Sequence, residues 1–292
     1  MFDLTMIEEA RSTGRGHNLF VEVLKMIGVF VVISMLAQVL GSVLIILAGG
    51  HEDDLITTVG LLWAQLFCIL GVALYCKFVE KRSLTSVGFV KKDFWKQYLK
   101  GLVTGFAMFA AVVLVGTAIG AFRFVGLSDN FNFGIYLLFF GGFVMQGMSE
   151  EVMCRGYFMV SMARKSSVVV AVIGNALLFA VMHAPNNGFG FFPCVNLILF
   201  AVFASIYTLK TGNIWAVSAF HSIWNFSQGC IFGLSVSGME LLPTLVVFES
   251  TDQVLANGGA FGPEGGFVVT IVLLVEIITM LIPLAKTSKN NV

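Results

Sequence analysis

An all-α membrane protein, a polytopic bundle of about eight transmembrane helices with both termini in the cytoplasm, is the fold class that this sequence predicts. Three observations carry that reading. The 292 residues are 58% hydrophobic and 12% charged, where an ordinary soluble domain has roughly 45 to 50% and 25%. Apolar runs of about 20 residues, the length that crosses the hydrocarbon, begin near Met26, Leu55, Gly101, Gly134, Val168, Val195, Ile214 and Gly266. Lysine and arginine then alternate between connections, as the positive-inside tendency requires.

The first 25 residues hold Asp3, Glu8, Glu9, Arg11, Arg15, Glu22 and Lys25 before any long apolar run, so no cleavable signal is expected and the first span stays in the chain. After the second span, Lys77 to Lys100 mixes basic residues with Phe78, Phe89, Phe94, Trp95 and Tyr98, a composition suited to a connector in the headgroup layer on the cytoplasmic surface. Arg164 and Lys165 follow the fourth span, Lys210 the sixth, and Lys286 and Lys289 the eighth, while the opposite connections hold only Arg123. An odd number of spans would break this alternation. Turn residues mark Ala184 to Cys194 as a loop. Gly233 to Gly265, the longest connection, is Gly-rich with part of an apolar pattern, and reads as a lid, a half-buried helix or a plain connector. Residues 1–292 are therefore expected to form a single integral membrane domain, in the cell membrane if the source is bacterial, with membrane lipids around it and no nucleic-acid partner.

Cys68, Cys76, Cys154, Cys194 and Cys230 are scattered and odd in number. They predict neither a disulfide frame nor a zinc knuckle. Cys154 lies beside charged residues, but helix spacing turns it away from them, and a thiol in apolar surroundings is inert.

Charged residues inside an apolar span demand a reason, because each costs at least about 2.5 to 3.5 kcal/mol at the bilayer centre. Glu150, Glu151 and Arg155 form such a cluster in the fourth span. Residues four apart share a helix face and adjacent ones diverge by about 100°. Glu151 should therefore pair with Arg155, leaving Glu150 on another face without an intrahelical partner, as a general base would be. The bland alternative is that all three merely hold helices together. Phe179 precedes His183 by four residues and should set a ring against the imidazole. His221 and Asn225 also share a face and could aim an imidazole and a carboxamide at one oxyanion, or satisfy a neighbouring helix.

Glu150-Glu151-x-x-x-Arg155, Phe179-x-x-x-His183 and His221-x-x-x-Asn225 resemble, in order, the three motifs of the CAAX protease and bacteriocin-processing family of intramembrane proteases, also called the Abi family. Thr211 to Ala216 is similar to the usual lead-in to the third motif, and Gly156 is typical after the arginine. The motif-bearing core runs from about 131 to 228. The resemblance implies an intramembrane endopeptidase acting on a membrane-associated or lipidated, CAAX-like protein or peptide. Glu150 with His183 would activate water and His221 with Asn225 would stabilise the oxyanion. Glu151, Arg155 and Phe179 would support the site.

The cofactor stays open between none and zinc or another divalent metal. Glu150, His183 and His221 are the candidate ligands of an open zinc site, so the enzyme is expected to be either glutamate-dependent or a metalloprotease. Two other functions fit the same residues: a proton-coupled transporter or channel relaying protons through Glu150, His183, His221 and Glu276, or a non-catalytic immunity or scaffold protein. One tension remains. At 1.5 Å per residue, Glu150, His183 and His221 fall about 18, 25 and 12 Å from the cytoplasmic ends of their spans, so a common site requires a watered cavity within the bilayer, expected to open to the cytoplasm.

Overall fold

The computed structural model describes residues 2–51, 55–129, 131–240 and 243–289, with backbone alone for 283–289. The helices that begin at Leu55, Phe133, Val168, Trp215 and Phe267 start within one residue of the expected apolar runs, whereas those at Leu19, Phe94 and Phe191 start earlier, taking in residues before Met26, Gly101 and Val195. In chain order they are α1 (Thr5–Ser12), α2 (Leu19–Leu47), α3 (Leu55–Leu74), α4 (Phe94–Ala118), α5 (Phe133–Glu151), α6 (Val160–Ala163), α7 (Val168–Met182), α8 (Phe191–Thr211), α9 (Trp215–Phe226), α10 (Val254–Asn257) and α11 (Phe267–Lys289). Among the described residues, four helices are long and apolar enough to cross a membrane: Leu19–Leu47, Leu55–Val79, Phe94–Ala118 and Phe191–Thr211. This mainly helical, apolar build fits an integral membrane protein.

Three rods contain π-helical turns. Tyr75–Val79 extends α3, Val152–Met159 joins α5 to α6, and Ser227–Ile231 extends α9. Such turns recur at functional sites and free backbone carbonyls from the regular ladder. The carbonyl of Gly156 in the central one accepts a hydrogen bond from Arg82 Nη2 at 3.1 Å.

Lipid tails are as apolar as leucine, so packing between helices rests on close approach rather than on water exclusion. Small residues make that approach possible here. Gly101 and Gly105 of α4 lie against the backbone of Ala216 and Phe220 of α9, and Gly147 of α5 lies against Ser222. A Cβ on Gly147 would stand 2.6 Å from the Ser222 backbone nitrogen. Gly147→Val should therefore push α5 from α9, with a loss of about 1 to 3 kcal/mol as in other overpacked cores. Thermal unfolding in detergent checks this, and an unshifted transition would contradict it.

Three features depart from the sequence reading. The segment Lys77 to Lys100 is not merely a surface connector. Its Arg82 is fully buried, donating to Ser161 Oγ (2.9 Å), Ser86 and Glu80, within a network that joins Glu22, Lys25 and Arg164. Its last part is the start of α4. The polar N-terminus forms α1, whose Met6, Ile7 and Ala10 pack against Met159, Val160, Ala163 and Leu209. The all-α description also omits a two-stranded antiparallel ribbon, β1 (Phe122–Leu127) with β2 (Val246–Ser250), which ties the α4–α5 connection to the long connection before α11.

That long connection, apart from Leu241 and Leu242 outside the described residues, is built rather than slack. After β2 come α10 and two 3-10 turns at Gly259–Phe261 and Pro263–Gly265. Glu264 Oε2 accepts from the backbone N–H and hydroxyl of Ser237 at 2.9 and 2.6 Å, and Asn196 of α8 donates to the Glu264 and Gly266 carbonyls. Gly262 needs its freedom: φ is +92° and an added Cβ would strike the Ser235 carbonyl.

Candidate active site

Helix α5 brings Glu150 and Glu151 to the centre of the bundle on diverging faces. Arg155 Nη1 donates to Glu151 Oε1 at 2.9 Å, and both side chains are wholly buried. The same Glu151 oxygen lies 2.8 Å from His221 Nδ1. Charges in an apolar interior persist when paired and hydrogen-bonded, so the two bonds explain why a carboxylate can sit there. They also orient the imidazole. With Nδ1–H given to Glu151, His221 turns Nε2 toward Glu150, 3.8 Å from Oε2.

Glu150 differs from its neighbour in lacking a cation partner on its own helix. Its Oε1 accepts from Gln146 Nε2, one turn earlier, and its Oε2 has no hydrogen-bond partner among the described residues. Gln146 also accepts from Asn225 Nδ2 at 3.0 Å, so one amide links the first motif to the third. Asn225 Oδ1 is likewise buried without a partner. An unsatisfied buried polar atom costs about 1 to 3 kcal/mol, and such atoms in a native fold call for a functional account.

His183 caps the C-terminus of α7. Its Nδ1 donates to the Phe179 carbonyl at 2.8 Å, which fixes the ring and leaves Nε2 as an acceptor. Phe179 stacks obliquely on it, with centroids 4.7 Å apart, and the other side of the story is electrostatic: the Arg155 guanidinium carbon lies 4.7 Å from the centre of the same ring. Phe200 meets His221 edge-on at 4.9 Å. The aromatic rings therefore hold both imidazoles.

Glu150, His183, His221 and Asn225 all line one cavity of about 380 Å³. Phe179 lines it too, whereas Glu151 and Arg155 stand behind the wall. The far end of the cavity is made by Val236, Ser237, Met239 and Glu264 from the long connection. That connection itself holds no lysine or arginine, so the cavity extends away from the basic connections rather than toward them.

Several lining residues escape sequence reasoning. Gln146 sits four residues before Glu150 and could have been found by helix spacing. Gln65 of α3, which accepts from Ser149 Oγ at 3.0 Å, Gln38 of α2, Asn196 and Glu264 reach the cavity only through tertiary packing. Glu276, a candidate proton relay, does not line it.

As zinc ligands, Glu150, His183 and His221 do not form a set. Among the described residues, no three His, Cys, Asp or Glu are grouped so as to hold a metal ion.

Residues 132–227, about a third of the chain, match the family model described as type II CAAX prenyl endopeptidase Rce1-like. This is the family that the three motifs resemble. Curated proteins provide no match.

Proposed function

We propose that the chain is a CAAX-type intramembrane endopeptidase that hydrolyses a peptide bond in a membrane-associated or lipidated substrate. The observation that supports this best is the sharing of one cavity by Glu150, His183, His221 and Asn225. Glu150, through its unpartnered Oε2, takes a proton from the attacking water, and His183 Nε2 accepts from the same water. The tetrahedral oxyanion then receives hydrogen bonds from His221 Nε2–H and Asn225 Nδ2–H. Because Nδ1–H is committed to Glu151, His221 can donate from Nε2 only as an imidazolium, whose charge the two glutamates balance. Asn225 Nδ2 carries two hydrogens, so one can stay with Gln146 Oε1 while the other meets the oxyanion. Collapse of the intermediate passes the proton held by Glu150 to the leaving amine.

In this reading, eight helical rods cross the membrane, with the basic connections and both termini in the cytoplasm and the whole chain in the cell membrane. No step runs through a metal, since the donor set is not grouped for one. Exhaustive chelation should leave turnover intact. Loss of activity restored specifically by Zn²⁺ would overturn that part.

Proteoliposomes containing internally quenched peptides, anchored by a farnesyl group or by one transmembrane segment, test the function. Cleavage of either probe is the expected result. Proton flux across the same liposomes without cleavage of any probe would favour a transporter and sink the proposal.

A further inference from the structure

Two glutamines face the same end of the cavity from helices that are otherwise built for lipid. Gln38 of α2 and Gln65 of α3 line the catalytic cavity, and together they also line an adjoining hollow of about 290 Å³ with Ser42, Ala37, Leu61 and Ala64. Gln38 and Ser42 are exposed and four residues apart, on one face of a helix whose other exposed residues are Val31, Val39, Leu40, Val43 and their like. Gln38 makes no hydrogen bond among the described residues, and the Gln65 amide nitrogen is also without one, its oxygen being taken by Ser149. Polar side chains at membrane depth are costly and mark pathways. A carboxamide presents both a donor and an acceptor, which is what the backbone of an extended peptide also presents.

The direction of this trough follows from its position along the helices. Gln38 lies nine residues before the end of α2 at Leu47 and Ser42 five, about 14 and 8 Å. Gln65 lies ten residues after the start of α3 at Leu55, about 15 Å. Both ends belong to a connection without lysine or arginine. The opposite, basic end is crossed by packed elements, beside a separate hollow of about 360 Å³ lined by Arg15, His17, Lys25, Glu80 and Arg164. There α1 packs onto α6, and Glu22, Lys25, Glu80 and Arg164 interlock at 2.6 to 3.1 Å. A peptide entering from the basic side would have to break that lattice.

We propose that Gln38, Ser42 and Gln65 form a substrate subsite that binds the backbone of an extended, membrane-tethered polypeptide arriving from the face opposite the basic connections. The inference rests on the endopeptidase reading and narrows its substrate to segments exposed on that face, in contrast to a lipidated tail confined to the basic side.

Sidedness is tested without reference to turnover. In a Cys194→Ser background, Ser42→Cys is expected to react with a membrane-impermeant maleimide applied to intact cells, while Lys91→Cys reacts only in inverted vesicles. With the transmembrane-anchored quenched peptide as probe, Gln38→Leu and Gln65→Leu should each raise KM roughly threefold to tenfold with kcat little changed, the loss of one or two neutral hydrogen bonds. A photo-crosslinking residue at position 38 of the Glu150→Gln enzyme should capture the same peptide. Labelling of Ser42→Cys only in inverted vesicles, or unchanged KM in both leucine variants together with no crosslink, would overturn the subsite. Undiminished cleavage by Glu150→Gln would instead overturn the endopeptidase mechanism and leave the labelling result to decide sidedness.

Discussion

Glu150→Gln should lower cleavage by roughly 10²- to 10⁴-fold, the range spanned by loss of a general base, with little change in thermal stability. The substitution keeps the shape of the side chain and its contact with Gln146 but removes the basic oxygen facing His221 Nε2. Glu150 has no cationic partner on its helix, and its approach to His221 Nε2 at 3.8 Å is longer than a hydrogen bond, so neutralising it weakens only a loose charge contact while Glu151 stays bonded to His221 Nδ1. A stable, correctly inserted protein that has lost turnover is therefore the signature of a chemical role. If the variant cleaved at the native rate, Glu150 would have no part in activating water.

Arg155→Ala should behave in the opposite way. It leaves Glu151 buried with its charge uncompensated except by His221, and breaking a buried ion pair from one side costs about 3 to 5 kcal/mol. The guanidinium also lies against Phe179, which orients His183. Stability and cleavage should both fall. Removing both charges, in Arg155→Ala/Glu151→Gln, should restore much of the lost thermal stability, since a buried pair can be replaced together at small net cost. It should not restore cleavage, because His221 has lost the carboxylate that holds Nδ1–H. Unfolding transitions of the two single variants and the double variant give the coupling energy directly. Additive effects would mean that the 2.9 Å contact contributes nothing to stability.

The contrast between these two glutamates was legible in the sequence, because it depends only on helix periodicity: positions 151 and 155 meet, and position 150 does not. The same holds for His183 beside Phe179 and for the starts of α3, α5, α7, α9 and α11, but not for α2, α4 and α8, whose first turns carry polar or aromatic residues ahead of the apolar run. What escaped was tertiary. Nothing local to Arg82 announces that it will be buried against Gly156 and Ser161, since a basic residue in a basic connector has every reason to stay in the headgroup layer. The ribbon of β1 and β2 joins residues more than a hundred positions apart, and neither strand has an alternating pattern strong enough to stand out in an apolar chain. Glu264 and Ser237 sit in a Gly-rich stretch whose backbone turns, at Gly258 and Gly262, carry them to the cavity. Gln38 and Gln65 look like tolerable polar interruptions of two spans until the spans are packed.

Depth along separate helices says nothing about which elements close each end of the space between them. Burial of α1 and of the Glu22, Lys25, Glu80 and Arg164 network at the basic end supplies that information.

The most direct test of the central claim is an experimental structure of the Glu150→Gln enzyme with an uncleaved, membrane-anchored peptide. The scissile carbonyl should lie in the shared cavity, its oxygen within hydrogen-bonding reach of His221 Nε2 and Asn225 Nδ2, and residue 150 and His183 should flank the carbon on the water's side. A peptide bound elsewhere, or these four side chains turned toward acyl chains with no solvent between them, would contradict it.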